Sequence, residues 1–143
     1  MNNAQLFCYD DAIDWTEVKM RMGNDNELLT EILTLFLEDA PQHLVRIQSA
    51  IECENGVDLA RSAHSLRGSA AVFGLKRLGQ LLERLEALGR EGHAWSAMAL
   101  YGGVLDEMSR IAIALRNTLS MLGGTSASSD RVGHQLNVRT HLS

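Results

Sequence analysis

Apolar residues recur at intervals of three and four along most of this chain, the spacing of one face of an α-helix. The clearest apolar face lies in residues 75–88 and consists of Leu75, Leu78, Leu81, Leu82, Leu85 and Leu88. A single proline and only 5% aromatic residues, with abundant leucine, alanine, glutamate and arginine, favour helix over strand. The sequence therefore predicts an all-α protein.

The apolar pattern divides into five predicted helices, at about residues 23–40, 41–53, 57–72, 75–88 and 95–122. Pro41 is placed at the start of the second helix, because proline lacks an N–H donor and is tolerated in a first helical turn. Gly74 is predicted to end the third helix, and Gly89 with Gly92 to end the fourth. Short connections between these segments make neighbouring helices antiparallel.

Residues 13–122 are predicted to form an up-and-down antiparallel four-helix bundle with an additional N-terminal helix, because amphipathic helices bury their apolar faces against one another. Residues 1–12 are expected to form a polar lead-in. Residues 123–143 are rich in glycine, serine and other polar residues, and are expected to form a flexible tail. The 143 residues correspond in length to one domain.

Charge and composition exclude several classes of function. The net charge is −5 and the basic residues are scattered, which argues against a nucleic-acid partner. No apolar run reaches the about 18–20 residues that cross a bilayer, and no signal-peptide pattern opens the chain, so a cytoplasmic location without direct membrane contact is expected. No nucleotide-binding loop is present, so autonomous kinase activity is not expected. The histidines and cysteines lack metal-ligand spacing, and no metal site is predicted.

His64, Arg67 and Gly68 are brought to one side of the third predicted helix by spacings of three and four. The buried face of this helix is formed by Leu59, Ala63, Leu66 and Ala70. Because His64 lies beside that face, its ring is expected to remain partly in water. A neutral imidazole can attack a phosphoryl group, and a neighbouring arginine can hold the phosphoryl oxygens through charge-assisted hydrogen bonds. Gly68 leaves room for the backbone of another protein to approach.

These residues resemble the motif of the histidine-containing phosphotransfer (HPt) domain family. That motif is a helix with His-x-Leu-Lys-Gly and a further glycine after several small residues; here it reads HSLRG at residues 64–68, followed by Gly74. Arginine replaces the lysine of the motif. Residues 28–44 are similar to the family's first long helix with its proline, and residues 78–92 to the helix that pairs with the histidine helix. The resemblance covers about residues 13–120.

The resemblance implies a monomeric bundle that takes a phosphoryl group from a receiver-domain aspartate and passes it to another receiver. By position, His64 is the phosphoacceptor, Arg67 occupies the place of the phosphate-orienting lysine, and Gly68 is the docking glycine. No cofactor is then expected in this chain, and magnesium is expected on the receiver. HPt domains also occur at the C-terminal ends of hybrid sensor histidine kinases, where such a module is the cytoplasmic part of a membrane protein.

Receiver choice is expected to depend on the surface around His64, which is formed by Arg61, Ser65, Gly68 and Ala71. The competing interpretation of this surface is a helical adaptor that docks a partner protein without phosphotransfer. The presence of a histidine together with a cation and a glycine favours the phosphotransfer interpretation.

The fourth predicted helix runs back past His64, and three of its polar residues are candidates to hydrogen-bond the imidazole ring. They are Gln80, Glu83 and Glu86. The sequence alone does not select one of them, because solvent-facing residues of a helix have the same composition.

Overall fold

A computed structural model describes residues 13–123, and these residues contain helices and no β-strand. The helices are α1 (Trp15–Arg21), α2 (Asn26–Glu52), α3 (Gly56–Val72), α4 (Lys76–Arg90) and α5 (Met98–Gly123), with a 3₁₀ turn at Ala94–Ala97. The predicted four-helix bundle with an additional N-terminal helix is confirmed, since α2–α5 form the bundle and α1 precedes it. Helix α1 is not one of the five predicted helices, and the first two of these form the single helix α2. The predicted polar lead-in and residues 124–143 of the predicted tail lie outside the described residues.

An aspartate or asparagine side chain caps the start of each of the first three helices. Asp14 accepts a hydrogen bond from the backbone N–H at position 17, Asp25 from those at 27 and 28, and Asn55 from that at 58. Such caps satisfy N–H groups that have no partner within the helix. At the other end of α3, Gly74 has φ +63° and ends the helix as predicted.

Pro41 does not open a helix, and the prediction of a break there is wrong. Helix α2 runs from Asn26 to Glu52 through Pro41, which is exposed. The apolar face continues in one register on both sides of the proline and consists of Leu29, Leu33, Phe36, Ala40, Ile47, Ala50 and Ile51. Because this face packs against α3 and α5, its burial offsets the hydrogen bond that the proline removes.

Of the two glycines predicted to end the fourth helix, Gly92 lies just after its end and has φ +78°. Gly89 does not end the helix, because α4 continues to Arg90 and Gly89 is buried inside it. A Cβ atom on Gly89 would lie 2.6 Å from the carbonyl oxygen of Gly56 and 2.8 Å from the backbone nitrogen of Ala60. The backbones of α3 and α4 therefore meet here, and this close approach fixes the position of α4 beside α3.

Aromatic packing closes the end of the bundle at which α1 lies. Phe73 makes edge-to-face contacts with Phe36 and with Trp15, at ring-centroid distances of 5.4 and 6.3 Å. Arg21 also donates a hydrogen bond to the carbonyl oxygen of Val72, at 3.1 Å. These contacts attach α1 to the bundle. Within residues 13–123, no helix combines the length and the apolar character that a membrane-crossing segment needs.

Candidate functional site

His64 lies on the solvent-facing side of α3, with 64% of its side chain exposed. Its chain neighbours Ser62, Ala63 and Leu66 are buried, so the ring stands at the edge of the core as the sequence predicts. Helix α4 passes this edge because it packs antiparallel to α3. The surroundings of the ring are therefore set by the pairing of these two helices.

Glu86 is the residue of α4 that reaches the ring. Its Oε2 atom lies 3.0 Å from His64 Nδ1, and only 2% of the Glu86 side chain is exposed. The other two candidates, Gln80 and Glu83, are exposed. The structure thus selects Glu86 from the three residues that the sequence left open.

Two arginines surround the Glu86 carboxylate. Arg67 Nη2 donates to Glu86 Oε1 at 3.0 Å and lies 3.3 Å from His64 Nδ1. Arg90 Nη2 donates to Glu86 Oε2. Sequence reasoning missed Arg90, although its spacing of four from Glu86 places both on one face of α4 and was an available signal. The buried negative charge is consequently paired with two positive charges.

The charges around Glu86 determine its ionisation. Burial raises the pKa of the Glu86 carboxyl, but the hydrogen bond from Arg67 and the charges of Arg67, Arg90 and His64 outweigh burial and hold this pKa below its ordinary value. Glu86 is therefore ionised at neutral pH. An ionised carboxylate can only accept hydrogen bonds.

The ionised carboxylate fixes the tautomer of His64. An ionised carboxylate at 3.0 Å can only accept, whereas Arg67 Nη2 lies farther away, at 3.3 Å, and already donates to Glu86 Oε1. The proton of the neutral ring is therefore assigned to Nδ1, which donates to Glu86 Oε2. The lone pair of the ring then lies on Nε2, which makes no hydrogen bond within the described residues. An exposed ring with an unprotonated Nε2 can act as a nucleophile without a further base.

Arg67 retains hydrogen-bonding capacity after pairing with Glu86. Its side chain is 36% exposed, and its Nε atom is buried without a hydrogen-bond partner in the described residues. A guanidinium carries five N–H donors in a planar fork that suits phosphate oxygens. Arg67 can therefore bind an anionic group carried on the neighbouring ring.

The remaining predicted surface residues lie around His64 on α3. Arg61, Ser65, Gly68 and Ala71 are all exposed, and Arg61 pairs with Asp58 at 3.7 Å. A Cβ atom on Gly68 would meet no atom within 4 Å, so the fold itself does not require glycine at this position. Across the described part of the chain, no three His, Cys, Asp or Glu side chains are grouped so that they could hold a metal ion.

A helical bundle that displays exposed His64 beside Arg67 and Gly68 is the arrangement expected of a histidine phosphotransfer module. Residues 31–125 match the family model of the Hpt domain. The chain belongs to the Hpt domain family, the phosphotransfer domains of two-component phosphorelays, and the resemblance seen in the sequence is confirmed. Members of this family carry phosphoryl groups and interact with receiver domains.

Comparisons with individual proteins agree with this assignment. The chain is 28% identical over 85 residues to the phosphorelay intermediate protein YPD1 of Saccharomyces cerevisiae, a match over 57% of this chain and 51% of YPD1. The match thus spans about half the length of this curated relative.

Two solved structures share the fold. The histidine-containing phosphotransfer protein HptB of Pseudomonas aeruginosa has a TM-score of 0.71 at 20% identity, over 76% of this chain and 95% of HptB. The HPT domain of a sensor hybrid histidine kinase from Shewanella has a TM-score of 0.66 at 22% identity, over 77% of this chain and 95% of that domain.

Proposed function

We propose that this chain is a phosphorelay intermediate in which His64 accepts a phosphoryl group from a receiver-domain aspartate and transfers it to the aspartate of another receiver. The observation that carries the proposal is the exposed His64 ring, whose Nδ1 is held by buried Glu86 at 3.0 Å while Nε2 is left free. Family membership supports the reaction class, and this geometry supports His64 as the nucleophile.

The transfer needs one bond to form and one to break. The Nε2 lone pair of His64 attacks the phosphorus of the aspartyl phosphate, and the bond from phosphorus to the aspartate oxygen breaks with its electron pair leaving on the aspartate carboxylate. The Nδ1 proton stays on the ring beside Glu86. Transfer to the next receiver reverses these events, with a new aspartate oxygen as the attacking atom. Magnesium is assigned to the receiver.

Arg67 and Gly68 support this transfer in different ways. Arg67 lies one turn from His64, so its guanidinium binds the oxygens of the transferred group and neutralises their charge. Gly68, with Ser65 and Ala71, leaves a low helix surface on which the receiver docks, because none of them projects a large side chain. The exposed Arg61 is assigned to receiver choice.

Two settings can supply the receivers. In the first, this domain is the C-terminal module of a hybrid sensor histidine kinase, the class of protein named for the Shewanella relative. In the second, it is a separate monomeric carrier between receiver proteins, and the yeast relative is named as a phosphorelay intermediate protein. Both settings use the same His64 chemistry.

The proposal is tested by incubating the full chain with phosphoramidate and mapping the labelled peptides under alkaline conditions, which preserve phosphohistidine. Wild type is compared with His64→Ala. The control sites are the other four histidines, His43, His93, His134 and His141. Selective label on His64 that a receiver domain removes supports the proposal. Equal label on all five, or label that no receiver removes, would instead support a docking adaptor without phosphotransfer.

A further inference from the structure

We propose that the negative charge of Glu86, beyond its hydrogen bond, keeps the phosphorylated His64 ring protonated and thereby keeps the phosphoryl group transferable. This inference rests on the proposed function, since it concerns the phosphorylated form of His64. It makes Glu86 a positioning residue with a second, electrostatic role.

Orientation alone does not require a carboxylate at this position. A neutral glutamine could also accept a hydrogen bond from Nδ1 through its side-chain oxygen. The chain instead buries a charged group, with 2% of the side chain exposed, and pairs it with Arg67 and Arg90. Burying a charge is costly, so a charged Glu86 must be matched by contacts that a neutral amide would not need.

The charge matters after the phosphoryl group has been transferred to the ring. When neutral His64 attacks through Nε2, the product ring carries a positive charge shared with the Nδ1–H group. Glu86 Oε2 lies 3.0 Å from that nitrogen, so the carboxylate forms an ion pair with the phosphorylated ring. The carboxylate therefore favours retention of the Nδ1 proton over its loss to water.

Retention of this proton determines how readily the phosphoryl group leaves. From the protonated ring, the electron pair of the N–P bond returns to Nε2 and the leaving group is a neutral imidazole. If Nδ1 has lost its proton, the leaving group is an imidazolate anion, which is far more basic and leaves more slowly. Glu86 thus extends transfer to higher pH.

All charged groups that contact the ring in the described residues come from α3 and α4. Arg67 of α3 lies 3.3 Å from Nδ1 and opposes protonation, whereas Glu86 of α4 favours it. Arg90 of α4 reaches the ring only through Glu86 Oε2, and its positive charge offsets part of the effect of this carboxylate on the ring. Farther along α3, Arg61 is paired with Asp58.

The test measures the protonation of phosphorylated His64 directly. The full chain is labelled with ¹⁵N-histidine and phosphorylated with phosphoramidate, and the ring nitrogens are followed by NMR as the pH is raised from neutral to alkaline. In Glu86→Gln, Nδ1 is expected to lose its proton at a pH lower by about one unit, since an adjacent opposite charge shifts such equilibria by about 1–3 units. The matched control is Glu83→Gln, an exposed carboxylate on the same helix, which should titrate like wild type.

A second variant moves the same equilibrium in the opposite direction. Arg90 is 68% exposed, so Arg90→Gln should fold, and loss of its positive charge should let Nδ1 keep its proton to higher pH. Opposite shifts in the two variants would not arise from a general loosening of the site. Identical titrations in wild type, Glu86→Gln and Arg90→Gln, with His64 normally labelled, would overturn this inference and leave the proposed function intact. Failure of wild-type His64 to take the label would overturn both.

Discussion

His64 Nδ1 and Glu86 Oε2 lie 3.0 Å apart across the interface of α3 and α4, although 22 residues separate them in the chain. Their contact depends on the packing of the two helices, since Glu86 is one turn from Gly89, where the helix backbones meet. The orientation of the nucleophile is therefore a property of the α3–α4 interface.

Gly89→Ala is expected to destabilise the bundle. Alanine normally stabilises a helix interior by about 1 kcal/mol relative to glycine. Here the new Cβ atom would lie 2.6 Å from the Gly56 carbonyl oxygen, so overpacking should reverse the sign and cost about 1–3 kcal/mol. Urea unfolding measures the change, with Gly102→Ala as control because a Cβ atom there meets nothing within 4 Å. Equal stability of Gly89→Ala and wild type would contradict the prediction.

Gly68→Ala is expected to slow transfer with a receiver without destabilising the fold. A Cβ atom on Gly68 meets no atom of the described chain, so the variant should be more stable by about 0.5–1 kcal/mol. Labelling of His64 by phosphoramidate should be unchanged, whereas transfer between His64 and a receiver should slow. Gly102→Ala, on α5, should gain stability without slowing transfer. A receiver that reacts equally well with Gly68→Ala would show that this glycine is not part of the docking surface.

Arg67 is expected to contribute mainly to the phosphoryl-transfer step. A hydrogen bond to a charged group contributes about 1.5–3 kcal/mol, so Arg67→Ala should slow transfer about 10-fold to 100-fold. Arg67→Lys keeps the charge but loses the planar fork, and its rate should lie between those of alanine and arginine. Single-turnover transfer to a receiver measures the three rates.

The control is Arg116→Ala, which removes the same charge from an exposed position on α5 and should react like wild type. An equal loss of rate in Arg67→Ala and Arg116→Ala would indicate a general effect of net charge.

The parts of the site that were predicted correctly are those encoded by local spacing. His64, Arg67 and Gly68 are three or four residues apart on one helix, so helical geometry alone brings them together. Glu86 could be named only as one of three candidates, because the choice depends on how α4 is rotated against α3. Arg90 was missed for a related reason: its role depends on Glu86 being buried.

The wrong predictions of helix ends also concern effects that act between helices. Pro41 indicates a break by its local chemistry, but the apolar face of α2 remains buried on both sides of it. Gly89 resembles a helix stop, yet its missing side chain is needed for contact with Gly56 of another helix. Local propensity predicts elements correctly where no neighbouring helix imposes a stronger requirement.

The free energy of unfolding is expected to depend on pH through the ionisation of Glu86. Its pKa in the folded state is held below the ordinary value of 4.5, so its contribution to stability is present above that pH and is lost as the pH falls through the folded-state pKa. Glu86→Gln should therefore unfold more easily than wild type at neutral pH, by about 0.2–1 kcal/mol for each arginine pair that is lost, because the partner arginines are partly exposed and screened. The difference in free energy of unfolding should shrink as the pH is lowered from neutral into the acid range, as measured by urea unfolding at several pH values.

The control is Glu83→Gln, which changes an exposed carboxylate one turn away and should show a smaller difference from wild type at neutral pH. A difference for Glu86→Gln that stays constant or grows in acid would mean that the two arginines do not stabilise the ionised carboxylate.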